Sequence, residues 1–322
     1  MATYKEIRGS QIEAVATDPS NPIEGQVWYN TTSNVLKGQA VTSSGAWTTG
    51  NSMNATRHTL GGSGIVTAAL AAGGRTPGDN RTNSETFNGT NWTEQNNMNN
   101  GKYGGAASGT TTAGLAFGGE PPGGPSGDRS HTETFNGTNW TEVNDLNTGR
   151  ESIRGAGTQP STVAAGGGGS KTEVWNGTNW TEVNDLNTPR SSGAMAGADS
   201  TAAIYIGAGS PGAYTELWNG SNWTEVNDLN TARSSMGGAG TSTSALAMGG
   251  SPAGTNGTKT ESWNGSNWTN DANLNTGRDG GGGAGADNTS GLYFGGRNEP
   301  TVYANTEEFT SPASITKTIS TD

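Results

Sequence analysis

The chain has no cysteine among its 322 residues, which excludes disulfide staples, thiolate metal sites and thiol nucleophiles together. Large apolar side chains are scarce too: hydrophobic types make up 29% of the sequence, and glycine alone contributes 54 residues. That composition is too thin for an ordinary two-layer core, yet ten tryptophans punctuate it too regularly for a disordered chain. No stretch reaches the roughly 20 consecutive apolar residues of a membrane helix, and the opening MATYKEIRGSQIEA has no apolar h-region, so neither membrane insertion nor a classical secretion signal is expected. Positive charge is also short, with 17 basic against 28 acidic residues and a net charge of −11. Such a chain repels phosphates, and nucleic acid is not expected as a partner. The two histidines, His58 and His131, stand in different units without recurring partners. Turn or surface positions are expected for both, with no metal site and no cofactor.

What the chain has in abundance is repetition. SETFNGTNWTEQNNMN, HTETFNGTNWTEVNDLN, KTEVWNGTNWTEVNDLN, YTELWNGSNWTEVNDLN and TESWNGSNWTNDANLN follow one another, with Trp92, Trp140, Trp180, Trp223 and Trp268 spaced by 48, 40, 43 and 45 residues. This period suits a four-stranded propeller blade and excludes short leucine-rich solenoids. Alternation on both sides of Asn176-Gly177 predicts two strands joined by a two-residue turn, with Asn and Gly supplying positive φ. Upstream runs such as TVAAGGGG and AAIYIGAG predict a strand buried on both faces. Before them, runs such as SSGAMAGAD predict a small-residue strand at a crowded centre. No window keeps a helical apolar period free of Gly or Asn, so the fold class expected is all-β, with four strands per repeat.

Arg57, Lys102, Arg150, Arg190, Arg233 and Arg278 each open a unit, which predicts a six-bladed propeller. The last unit lacks an outer strand, while residues 46–54, AWTTGNSMN, match the outer-strand pattern NWTEVNDLN. The expectation is a ring closed by this N-terminal strand completing the last blade, with no free edge left. A seventh blade, built from residues 26–54 and the C-terminal tail, is the alternative. Residues 1–45 are expected to form an extended anchor segment with a small hairpin, 46–310 the propeller and 311–322 a tail. Trp47, Trp92, Trp140, Trp180, Trp223 and Trp268 are read as blade-to-blade packing. The six basic residues are expected to pair with Glu or Asp of their own or a neighbouring blade. Repeated acids such as Glu142, Asp145, Glu182, Asp185, Glu225 and Asp228 read as solvated or salt-bridged, because a catalytic pair is singular and needs two different environments.

A glycine pair ending the second strand, an aromatic in the third, a tryptophan about five residues later and an Arg closing the unit resemble the kelch repeat of β-propellers, over residues 47–309. The chain differs in its bare Asn-Gly turn and in Asn-Asp-Leu-Asn where proline-rich segments are common. A galactose-oxidase-type activity is excluded, because its copper site includes a cysteine-modified tyrosine. The stretch DPSNPIEGQVWYN, residues 18–30, resembles a segment near the start of structural proteins of tailed bacteriophages, especially marine ones. The resemblance implies a virion location, with Pro22, Trp28 and Tyr29 in an anchor that holds other virion proteins.

Blades differ mainly in the insertions after their second strands, residues 73–81, 120–129, 210–212, 251–256 and 297–300. Equivalent connections emerge at one rim, and loops on a rigid scaffold carry recognition. Arg75, Asp79, Arg81, Glu120, Asp128, Arg129, Arg297 and Glu299 are therefore the candidate binding residues, facing a host-surface glycan or protein. The function expected is that of a phage virion structural protein on tail, fibre or head, acting in assembly or attachment by binding and not as an enzyme. A propeller glycan hydrolase or lyase and a cellular kelch-type adaptor are the alternatives.

Overall fold

The computed structural model describes residues 12–20, 25–41, 45–76, 79–80, 82–121, 129–209, 212–311 and 314–319. Among them the chain is all-β apart from one four-residue helix, Ala253–Asn256. It divides into two compact units, one of residues 46–310 and one of residues 1–45 with 311–322.

The larger unit is a series of four-stranded antiparallel sheets, a propeller-like arrangement. Ile153–Thr158, Ser161–Gly166, Thr172–Trp175 and Trp180–Val183 form the third of them, in that order from inside outward. The four strands are what their residues dictate. The first is small because the first strands of neighbouring sheets nearly touch: a Cβ on Gly62 would stand 2.7 Å from the backbone nitrogen of Gly283. Apolar residues fill the second strand, Val163, Ala164 and Ala165, each fully buried between two sheets. The fourth buries only its leading tryptophan and exposes the next two residues, as a strand with one solvated face does.

The last sheet runs Gly282–Asp287, Ser290–Phe294, Thr306–Thr310 and then Ala46–Gly50. Trp47 pairs with Phe309 and Gly50 with Thr306, so the strand that the repeat lacks at its end is supplied from near the start of the chain. Residues 46–50 therefore do not join residues 27–41 in one sheet.

The six repeat tryptophans carry the packing between sheets. Each indole N–H crosses to a hydroxyl on the third strand of the preceding sheet, as in Trp140 to Ser84, Trp180 to Thr132, Trp223 to Thr172 and Trp268 to Thr215 (2.9 to 3.1 Å). Trp92 reaches Thr306 in the same way (2.8 Å), and Trp47 reaches Thr260 (3.0 Å). A buried indole needs such an acceptor, and the Thr or Ser heading each third strand supplies it.

The Asn-Gly hairpins differ from the two-residue turn expected with both residues at positive φ. Glycine alone takes the left-handed conformation (Gly177, φ 93°), while the Asn176 carboxamide oxygen accepts the amides of Thr178 and Asn179 (both 2.9 Å). The side-chain oxygen stands in for a backbone carbonyl, so the asparagine stays in ordinary backbone space.

In the smaller unit, Glu13–Val15 lies parallel to Val27–Asn30, which forms a hairpin with Val35–Val41. The C-terminal strand Ser314–Ile319 pairs with Val35–Val41. The expected tail thus shares a sheet with the N-terminal hairpin, with Ile315 opposite Ala40 and Ile319 opposite Leu36. Asp18 organises the hairpin, accepting from Lys37 Nζ (2.6 Å), Trp28 Nε1 (3.0 Å) and Asn30 Nδ2 (2.7 Å). These donors, Lys37 foremost, pull its carboxyl down to about 2. Of the expected anchor residues, Trp28 is fully buried, Tyr29 is exposed, and Pro22 lies outside the described residues.

Candidate functional site

Each second strand ends in two left-handed residues, for example Gly73-Gly74 (φ 66° and 96°) and Gly207-Ala208 (63° and 86°). They bring the backbone so close to the next repeat that a Cβ on Gly73 would stand 2.5 Å from the Lys102 carbonyl oxygen. The second residue of each pair donates its N–H to the carbonyl of the next unit-opening cation. Gly74 reaches Lys102, Gly119 Arg150, Gly167 Arg190, Ala208 Arg233, Gly250 Arg278 and Gly296 Arg57, at 2.8 to 3.1 Å.

The side chains of those cations turn inward to a glutamate on the third strand of their own sheet. Arg57 meets Glu85 (2.8 Å), Arg150 Glu173 (2.9 Å), Arg233 Glu261 (2.9 Å), Arg190 Glu216 and Arg278 Glu307. Lys102 lies 3.8 Å from Glu133 and donates to the His131 carbonyl (3.0 Å). Desolvation lowers the pKa of Lys102, Arg150 and Arg233, and the facing glutamate opposes it. The other glutamate oxygen receives the chain arriving from the preceding sheet: Glu261 Oε2 accepts Asn230 N (2.7 Å) and Nδ2 (3.0 Å), and Glu173 does the same for Asn147. Each buried Glu is fully occupied as a clamp between two sheets, leaving no free carboxylate there for acid–base work. The expected pairing of the six cations is met within their own sheets. Its acidic partners are these third-strand glutamates, while Glu182 of the fourth strand meets only the exposed Lys171 (2.8 Å).

The expected rim residues fall into separate groups. Arg129 lies 3.3 Å from Glu151 and 3.8 Å from Glu120, beside a cleft of about 220 Å³ floored by Gly167 and Gly168, where the third sheet has its shortest connection. Arg297 pairs with Glu299 (2.7 Å) and Asp279 (3.3 Å). Arg75 stacks over the Tyr103 ring (5.2 Å), and Asp79 lies in the short strand Asp79–Asn80 that pairs with Arg75–Thr76. Arg81 and Asp128 lie outside the described residues.

His58 is buried, at 4% exposure, contrary to its expected turn or surface position. Its Nδ1 meets Thr59 Oγ1 (2.9 Å) and its ring stands edge-on to Tyr103 (6.0 Å). Desolvation, then the charges of Arg297 and Arg75, push its pKa down to about 4. The unfolded chain therefore takes up this proton first as pH falls. The histidine's contribution is full above about pH 6.5 and is lost as pH falls toward 4. Melting temperatures measured from pH 7 to pH 4 are expected to fall more steeply for the wild type than for His58→Gln. His131 is partly exposed, with Nδ1 3.2 Å from Glu142 and 3.5 Å from Asp145. No cluster of three or more metal-ligating side chains occurs among the described residues.

Inside this loop face, small residues from the first strands of all the repeat sheets line a channel. One residue there was missed by the sequence reading. Arg154 occupies a position that is Gly61, Ala106, Ala194, Gly237 or Gly282 in the other repeats. A charge standing in an otherwise small or apolar column was the signal that a position-by-position comparison of the units would have given. No protein-family model matches the chain, and no curated protein is similar to it.

Proposed function

We propose that residues 46–310 are a six-bladed, kelch-like propeller closed by strand Ala46–Gly50, and that it serves as a binding scaffold on a bacteriophage particle without catalysing turnover. Closure is supported by the contacts that join the first and last repeats: Gly296 N–H to the Arg57 carbonyl (2.8 Å) and the Trp92 indole to Thr306. The observation that carries the functional reading is where the charged residues are spent. The repeated Arg and Glu side chains are locked in buried clamps, while the differences between repeats collect in the connections around Arg75, Glu120, Arg129, Arg297 and Glu299. A scaffold held rigid by its repeats and varied in its loops is built to recognise.

Attachment to the particle is assigned to residues 1–45, on the resemblance of residues 18–30 to phage structural proteins. The Asp18 cluster supports that reading, because it gives the segment an ordered shape of its own. Co-sedimentation with phage particles lacking this protein is the test. Full-length protein is expected to pellet with the particles and a version lacking residues 1–45 to stay in the supernatant. Equal behaviour of the two removes the anchor assignment.

A further inference from the structure

The six repeat cations each face a glutamate; Arg154 faces none. Its Nε donates to the Gly193 carbonyl and its Nη1 to the Ile153 carbonyl (2.9 Å). Among the described residues no carboxylate lies within salt-bridge distance of it, and no acceptor meets Nη2. The guanidinium borders about 50 Å³ of open space on the loop-face side of the channel, with about 170 Å³ beyond it. Its side chain is half-buried, and desolvation lowers its pKa. A partly desolvated cation without a counter-charge is unfavourable unless something else supplies one.

We propose that Arg154 and the channel mouth form a binding site for a small monocarboxylate, of the size of formate or acetate, held by the free side of the guanidinium. The planar fork of an arginine matches two carboxylate oxygens. One cation suits one negative charge, and a phosphate dianion would stay half uncompensated. The space fits the same size: at roughly 10–15 Å³ for each water-sized position, it takes a carboxylate and a carbon or two. Met195 and Met236 among the wall residues offer apolar contact to a methyl group. This site is separate from the rim loops, and the proposal does not depend on where the protein is mounted.

The test is titration of the full-length protein with ¹³C-labelled acetate at fixed ionic strength, followed by the width of the carboxylate resonance. Wild-type protein is expected to broaden the signal. Arg154→Met keeps a filling side chain in the channel without the fork, and should weaken binding roughly tenfold or more. Arg154→Lys should retain part of it. No broadening by wild type, equal binding by Arg154→Met, or displacement of acetate by an equal concentration of chloride or inorganic phosphate overturns the proposal. If Arg154→Met does not fold, a crystal of the wild type grown in acetate decides. A carboxylate within hydrogen-bond reach of Nη2 supports the site, and water alone there overturns it.

Discussion

Glu261→Ala is expected to lower the free energy of unfolding by about 3–5 kcal/mol, the cost of removing one partner of a buried ion pair. Arg233 and Glu261 are both fully buried, so the substitution strands a guanidinium out of reach of water. It also orphans the Asn230 backbone and side-chain amides and the Thr231 N–H, all of which donate to this carboxylate. The exposed Lys171–Glu182 pair is no longer, at 2.8 Å, yet Lys171→Ala should leave the unfolding midpoint nearly unchanged. Urea unfolding midpoints measure both. The double variant Arg233→Met with Glu261→Leu sharpens the comparison. An isolated buried pair is often replaced by apolar residues without loss. Here the replacement should stay destabilised, because the Gly249 and Lys259 carbonyls lose Arg233 and Asn230 loses its acceptor. A double variant as stable as wild type would mean that the clamp holds nothing beyond its own two charges.

The second large effect separates two truncations nine residues apart. Protein spanning 46–310 is expected to remain a folded monomer, whereas protein spanning 55–310 should aggregate or unfold. The shorter version loses Ala46–Gly50 and leaves Thr306–Thr310 as an open edge, the template on which strands of other chains pair. It also loses Trp47, whose indole bonds Thr260 and the Ala272 carbonyl and whose own carbonyl accepts from Asn275; truncating a buried tryptophan alone costs about 3–5 kcal/mol. Asn54, held by Glu85, goes as well. Size-exclusion chromatography and circular dichroism distinguish the outcomes, and equal behaviour of the two versions would show the strand to be dispensable.

Much of this was legible because the sequence repeats. The four strands of each sheet, their buried tryptophans and the displaced strand near residue 47 all follow from lining up the units, since a pattern seen five times averages away local noise. The partners of the six cations were only half legible. Attention fell on the acids after each tryptophan, such as Glu182, whereas the buried partners are the glutamates before it, such as Glu173. Alternation along a strand does not say which neighbouring strand will cover a residue, and Thr-Glu-Val-Trp reads equally well with its Glu in water. His58 and Arg154 were missed for a related reason. Each is a single departure from the pattern, and its environment is made by several repeats at once. The pairing of Ser314–Ile319 with Val35–Val41 figured only within the alternative of a seventh blade, because the two strands lie nearly the whole chain apart.

That last kind of distance also sets a clock. Thr48 bonds Glu308 across 260 residues of chain. At roughly 5–20 residues per second of synthesis, this strand waits some 13 to 50 seconds on the nascent chain before its partner exists. Throughout that interval Trp47 has neither Phe309 to pack against nor Thr260 to bond. Completing the last sheet therefore comes after every earlier repeat has been synthesised, and until then those repeats stand as an unfinished array whose first strand is still a free end.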